Sequence, residues 1–318
     1  MRRAPGRRIL RPSGGVIVGT GTYRYRAVPG WGFGPGGRPP GGVLPGCGAD
    51  LRGNVYVSRR SPPAILVFSP DGRRLGEWGD AILANPHSVT VAGDHVWVTD
   101  TQDHTVRRFT LDGTLVLTLG TPGMPGAPGA PFNRPSGAWE DPGGDLYVSD
   151  GYGQQRVHRF AADGSLRRSW GEEGTGPGRF TLPHHVWGDG NGTIFVCDRE
   201  SGRIQLFDGQ GTYRDELSCR HWPGLLWPNA ACLDPSGALV VAEAGHRISI
   251  WERTDEPIRS LIATPGSRWR LLARWGDVGS GPGQFLDCPH GLCVDAGGSI
   301  YVTEVPDTPD RITKFERI

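Results

Sequence analysis

The 318-residue sequence has no apolar run long enough to cross a bilayer. Five arginines between Met1 and Gly15 are followed only by Val16, Ile17 and Val18, too short for the apolar region of a secretory leader. There is no basic stripe and no acidic tail: 34 basic and 33 acidic residues are interspersed, which excludes a nucleic-acid footprint. No CxxC pair occurs among Cys47, Cys197, Cys219, Cys232, Cys288 and Cys293, so they read as small core residues of a reducing cytosol. These absences predict a cytoplasmic monomer with neither membrane nor nucleic-acid partners. Sustained helical periodicity is missing too. What is plentiful is glycine (51) and proline (28), spread evenly, with eleven Trp and ten Phe to fill a β core.

One phrase recurs along the chain: a Pro-X pair, an apolar run, turn residues, then a strand ending in an acid. It reads NPHSVTVAGDHVWVTD at 85–100, RPSGAWEDPGGDLYVSD at 134–150 and LPHHVWGDGNGTIFVCD at 182–198. WPNAACLDPSGALVVAE (227–243) and CPHGLCVDAGGSIYVTE (288–304) continue it, and LPGCGADLRGNVYVS (44–58) is a degenerate first copy. A third strand follows each copy, then a fourth element ending in Trp-Gly or Leu-Gly. Successive Pro-X pairs lie 41, 49, 48, 45 and 61 residues apart, the period of a four-stranded propeller blade. The last gap predicts an insertion near 253–270. The expected fold is therefore all-β, a six-bladed β-propeller. Its ring is closed by the N-terminal strand within TYRYRAVPGWG (22–32), which partners a C-terminus that stops after its third strand. Residues 16–318 form the single domain, and 1–15 are expected to lie outside it.

The innermost strand of a blade begins at the mouth of the central channel. Around that mouth the X of Pro-X reads Gly46, His87, Ser136, His184, Asn229, His290. Histidine falls on blades two, four and six, about 120° apart in a six-bladed ring. Three imidazoles converging with one open position make the ligand set of a catalytic zinc, or another divalent metal, rather than a closed structural site. His185 is off the repeat register and is expected to face the other side of its strand. His95, His104, His158, His221 and His246 read as surface or turn residues. The acids that end strand two (Asp100, Asp150, Asp198, Glu243, Glu304) recur in almost every blade, which predicts a structural duty as acceptors for turn N–H groups.

The turns after strand two reach the same mouth. They carry Ser58-Arg59-Arg60, Asp150-Gly151-Tyr152 and Asp198-Arg199-Glu200. A tyrosine and arginines facing a metal would form a cationic pocket for a carboxylate, and the positive charge would lower the tyrosine pKa.

The phrases VSDGYGQQRV, SWGEEGTGPGRFTLPH and CDRESGRIQLF resemble the peptidyl-α-hydroxyglycine α-amidating lyase family, an NHL-repeat propeller. The likeness is strongest over about 134–207, extends across most of 44–317, and is loose in the first blade and over 209–285. It implies zinc on His87, His184 and His290, with Tyr152, Arg59 and Arg199 as active-site residues and Arg60 as the alternative to Arg59. It implies cleavage of a carbinolamide to a terminal amide and glyoxylate. The family's calcium site uses an aspartate directly after the third histidine; Gly291 stands there, so the likeness lends calcium no support. Cys288 replaces the family's methionine before the last Pro-His, and Gly153 replaces a cysteine after the catalytic tyrosine.

The leading expectation is a zinc-dependent lyase acting on an N-acyl or N-carbamoyl α-hydroxyglycine, small molecule or peptide. Two others stand beside it. One is a non-catalytic NHL propeller that binds a protein or peptide; the other is a metal-dependent propeller hydrolase.

Overall fold

The computed structural model describes residues 15–34, 37–218, 224–258, 267–305 and 311–318. Their strands form six antiparallel sheets: five with four strands and one with five. Each four-stranded sheet is one sequence repeat, so the six-bladed propeller expected from the Pro-X period is the fold. The fifth strand enters as the ring closes. Tyr23–Val28 pairs antiparallel with Ile312–Arg317, bringing Ala27 opposite Phe315, and Ile17–Thr20 adds outside it. The 61-residue gap before the last repeat holds an extended hairpin between Arg247–Arg253 and Trp269–Trp275, continued by the backbone bond from Thr254 N to Arg268 O. The expectation for residues 1–15 falls, save for Gly15, outside the described residues, as do Cys219 and His221.

The apolar core is divided among the gaps between blades. Val57 and Phe68 of blade one meet Tyr301 of blade six, and Ile204 and Leu206 of blade four meet Trp251 of blade five. Phe109 packs with Ile65 between blades one and two. Each buried side chain of this size contributes about 1.5–3 kcal/mol. The outer strands end where the repeat places its glycines. Gly79, Gly120, Gly171 and Gly276 all have positive φ, and a Cβ on Gly120 would lie 2.4 Å from the carbonyl of His104. Only glycine turns the chain there.

The five described cysteines are free thiols, four of them buried. Among the described residues no helix is long and apolar enough to cross a membrane.

Candidate metal centre and pocket

Backbone and acid together aim the Pro-X residue. Pro86, Pro183, Pro228 and Pro289 lie opposite Asp100, Asp198, Glu243 and Glu304 across the first two strands, and the ladder slips immediately afterwards. Such a bulge lifts one residue out of the alternation and re-aims its side chain. The acids hold the incoming chain. Asp100 accepts the N–H groups of Ala84 and Asn85, Asp198 those of Thr181 and Leu182, and Asp150, Glu243 and Glu304 those of Asn133, Leu226 and Asp287. All five carboxylates are buried. Each also has a cationic or imidazole neighbour, for example Arg203 on Asp198 at 3.0 Å and Arg311 on Glu304 at 2.6 Å. The predicted structural duty of these acids is what the geometry shows.

The bulged positions bring His87, His184 and His290 together. Their ring centroids are 4.8–5.0 Å apart, and the rings stand 76–89° to one another. All three are buried. Each Nδ1 lies 2.6 Å from a carbonyl oxygen of a blade that carries no such histidine: Ser136 for His87, Asn229 for His184, Pro45 for His290. A carbonyl only accepts, so the proton is on Nδ1 and the Nε2 lone pair is left for a ligand. Burial holds all three rings neutral. It pushes His290 down to about 3, while His87 and His184 fall well below the usual range through burial and their imidazole neighbours.

The three ligand nitrogens lie within 4.8 Å of one another. Two nitrogens on a tetrahedral zinc are separated by roughly 3.3 Å, so a small inward movement suffices. The Tyr152 hydroxyl sits 3.0 Å from His87 Nε2 and 2.8 Å from His184 Nε2. Its one proton serves one of these two lone pairs. The residues thus fit a cation.

Above the histidines opens a cavity of about 520 Å³, lined by Tyr152, Arg60, Arg134, Arg199, Trp227 and Cys288 among others, with His290 at its floor. The guanidinium carbons of Arg134 and Arg199 lie 5.8 and 5.9 Å from the Tyr152 ring centre. Arg199 opens a 3₁₀ turn, Arg199–Ser201, and is paired with Glu200 at 2.8 Å. Burial raises the Tyr152 pKa, and Arg199, Arg60 and Arg134 pull against it. The expected lowering by positive charge is therefore present but outweighed by burial.

Arg59 is not in this pocket. Its guanidinium turns away and donates to the carbonyls of Ser61, Pro63 and Pro40. Arg60, exposed to the cavity, takes the place expected of Arg59. Two further expectations are corrected. His158 is fully buried, bonded to Asp150 and Ser169, because it stands on the third strand opposite Val148, the register place from which Ser249 bonds the acid Glu243 in blade five. His185 borders the same channel cavity as His184, since the bulge breaks the alternation between them. At Gly291 an added Cβ would lie 2.6 Å from Gly46 Cα and 2.7 Å from Pro45 O, so no aspartate fits without moving the first blade.

Arg134, Trp227 and Asn85 went unread in the sequence although a signal exists. Asn85, Arg134, Trp227 and Cys288 each directly precede the proline of Pro-X, and all four line the cavity. Thr101, Arg199, Ala244 and Val305, which also line it, each follow the acid of strand two. Two positions per repeat therefore spell most of the pocket.

The family profile described as NHL repeat matches residues 83–109. The chain is 32% identical over 272 residues to NHL repeat-containing protein 3 of Mus musculus, covering 80% of this chain and 74% of that one. It is 29% identical over 286 residues to peptidyl-alpha-hydroxyglycine alpha-amidating lyase 1 of Drosophila melanogaster, over 84% of this chain but about half (51%) of the fly protein. Among solved structures, a gluconolactonase from Xanthomonas campestris superposes with a TM-score of 0.63 over 96% of this chain and 99% of that one. At 14% identity, this is a likeness of fold alone. The chain belongs to the NHL-repeat β-propeller family that includes NHL repeat-containing protein 3.

Proposed function

We propose that the protein is a zinc-dependent carbon–nitrogen lyase that cleaves an N-acyl α-hydroxyglycine into an amide and glyoxylate. The observation that carries this reading is the convergence of three Nε2 atoms beneath the Tyr152 hydroxyl, with arginines above it. Similarity to the fly amidating lyase supports it. Zinc held by His87, His184 and His290 would supply a Lewis acid for a substrate oxygen.

The chain's own residues do the rest. Arg60 and Arg199 bind the glycolate carboxylate and hold the substrate against the histidines. Tyr152, ionised when the positive charge of Arg60, Arg199 and a bound cation together offset its burial, takes the proton of the carbinol hydroxyl. The C–N bond breaks, the carbinol carbon becomes the aldehyde of glyoxylate, and a proton passes to the departing amide nitrogen. No water is consumed. The protein works as a monomer on a small-molecule or peptide substrate.

The test is glyoxylate release by zinc-loaded protein from benzoyl-α-hydroxyglycine, with ureidoglycolate beside it. Release of equal amounts of glyoxylate and amide supports the reading. Zinc-loaded protein that releases no glyoxylate from either compound overturns it.

A further inference from the structure

The charges around the cavity are unevenly shared. Arg60, Arg134 and Arg199 line it from blades one, three and four. Glu200 is the one carboxylate among the described lining residues, and it is bound to Arg199 through Nε and Nη2 at 2.9 and 2.8 Å. No carboxylate among the described residues pairs with Arg60 or Arg134. Among the described residues the pocket therefore has two cations without a carboxylate partner before any metal is counted. Blades five and six bring no charged residue to the described lining: Trp227, Ala244, Cys288 and Val305, with Asn229 and His290 deeper in the channel mouth.

An α-hydroxyglycine brings one carboxylate, enough to satisfy one of the two. The second cation still needs an anion, because a cationic cleft with low-dielectric walls selects for charge of the opposite sign. Arg134 is the one placed to take it. Its guanidinium carbon lies over the Tyr152 ring, 5.8 Å from the ring centre. Its backbone is in the left-handed region, φ 64°, where its N–H donates to His104 Nδ1 at 3.2 Å. That bond fixes the residue at the rim without using the side chain. The cavity, about 520 Å³, has room for a substrate longer than hydroxyglycine itself.

We propose that the substrate is a dianion, an N-acyl α-hydroxyglycine whose acyl group carries a second carboxylate or similar anion, and that Arg134 binds that second charge. This deepens the lyase reading and rests on it for the identity of the reacting end. Arg134 is here a specificity-determining residue; it touches the acyl group, not the bond that breaks.

The experiment compares N-succinyl- with N-butyryl-α-hydroxyglycine, similar in length and differing by one charge, in zinc-loaded wild type and Arg134→Gln. Glyoxylate release gives the ratio of kcat/KM. Calorimetry with the unreactive N-succinylglycine and N-butyrylglycine gives the ratio of affinities. Wild type should favour the succinyl compounds about tenfold or more in both, the effect of one charge-assisted pair. Arg134→Gln should bring both ratios close to one while keeping zinc content and Tm. Arg134→Lys, which retains a point charge, should fall between. No preference in wild type, or a preference that survives in Arg134→Gln, overturns the proposal. If neither hydroxyglycine yields glyoxylate, the lyase reading fails. The binding ratio then decides the proposal by itself: Arg134-dependent preference supports a dianion site, and equal binding removes it.

Discussion

Asn229 serves two of the three histidines at once. Its carbonyl accepts from Nδ1 of His184 at 2.6 Å, and its Nδ2 donates to the carbonyl of Pro289, directly before His290, at 2.8 Å. Ser136 repeats the arrangement two blades away, accepting from His87 and donating through Oγ to Pro183 O, directly before His184. At the third junction His290 reaches Pro45 O, and Ser58 Oγ donates to the carbonyls of Gly46 and His87. The blades without a histidine ligand therefore set the tautomer of one ligand and the backbone of the next. Several measurements follow from that belt and from the pocket above it.

As purified, or after zinc loading, the protein should hold about one divalent ion per chain, and His184→Ala should lose most of it. Metal analysis alongside circular dichroism checks this. The blades are held by interblade packing, so the β signature should persist. Metal content equal to wild type would show that the three histidines do not form the site.

Asn229→Ala keeps the main-chain carbonyl that accepts from His184 and removes only the Nδ2 bond to the Pro289 carbonyl before His290, so zinc retention should fall by about tenfold or less, through misplacement of His290. It also leaves the buried Pro289 carbonyl short of a donor, at a cost of about 1–3 kcal/mol. Competition with a chelator and thermal unfolding measure the two separately. Stability lost with zinc affinity unchanged would reduce Asn229 to a structural residue.

Arg59 and Arg60 should part company. Arg59→Ala breaks the bonds from a buried guanidinium to the carbonyls of Pro40, Gly41, Ser61 and Pro63 and should destabilise the protein by about 2–4 kcal/mol. Arg60→Ala should leave Tm nearly unchanged and lower kcat/KM about 10–100-fold through lost carboxylate binding. The reverse pattern would return the pocket to Arg59.

Tyr152→Phe should keep zinc and fold while losing about 10²–10⁴ in rate. Single-turnover glyoxylate release reads it. A near-normal rate would mean that another group accepts the proton.

Removing residues 1–28 strips Tyr23–Val28 from Ile312–Arg317 and exposes an unpaired strand edge. Light scattering should show aggregation, relieved by adding a peptide of residues 15–28. A truncated chain that stays monomeric with unchanged Tm would refute closure by this strand.

The blade count, the closing strand and the histidine positions were legible because each is written as a repeat. Pro-X recurs, the acid recurs, and departures from the repeat at His87, His184 and His290 stand out against it. Arg59 misled because blade one lacks the acid that fixes the turn in the others: Ser58 stands at the end of its second strand, so spacing alone does not say which of two adjacent arginines turns inward. His158 misled for the opposite reason. It does in blade three what Ser249 does in blade five, bonding its blade's acid from the third strand, and that partnership is invisible without the strand register. Arg134 and Trp227 sit before the proline, where the residue changes between most blades (Leu44, Asn85, Arg134, Leu182, Trp227, Cys288) and no shared pattern draws the eye.

The closing blade is assembled from both ends of the chain: Arg26 and Glu316, a sequence separation of 290, form an ion pair within it. His290 lies on that blade's innermost strand. During synthesis the strand Tyr23–Val28 is made early and waits, partnerless, until Ile312–Arg317 has been added. The ligand set is completed by that same late segment. Metal capture by the three imidazoles would therefore act as a timer on folding: holding an ion through all three requires blade six to be seated against blade one, where His290 Nδ1 meets Pro45 O. Loading kinetics followed during refolding would report closure of the ring without any label on the termini.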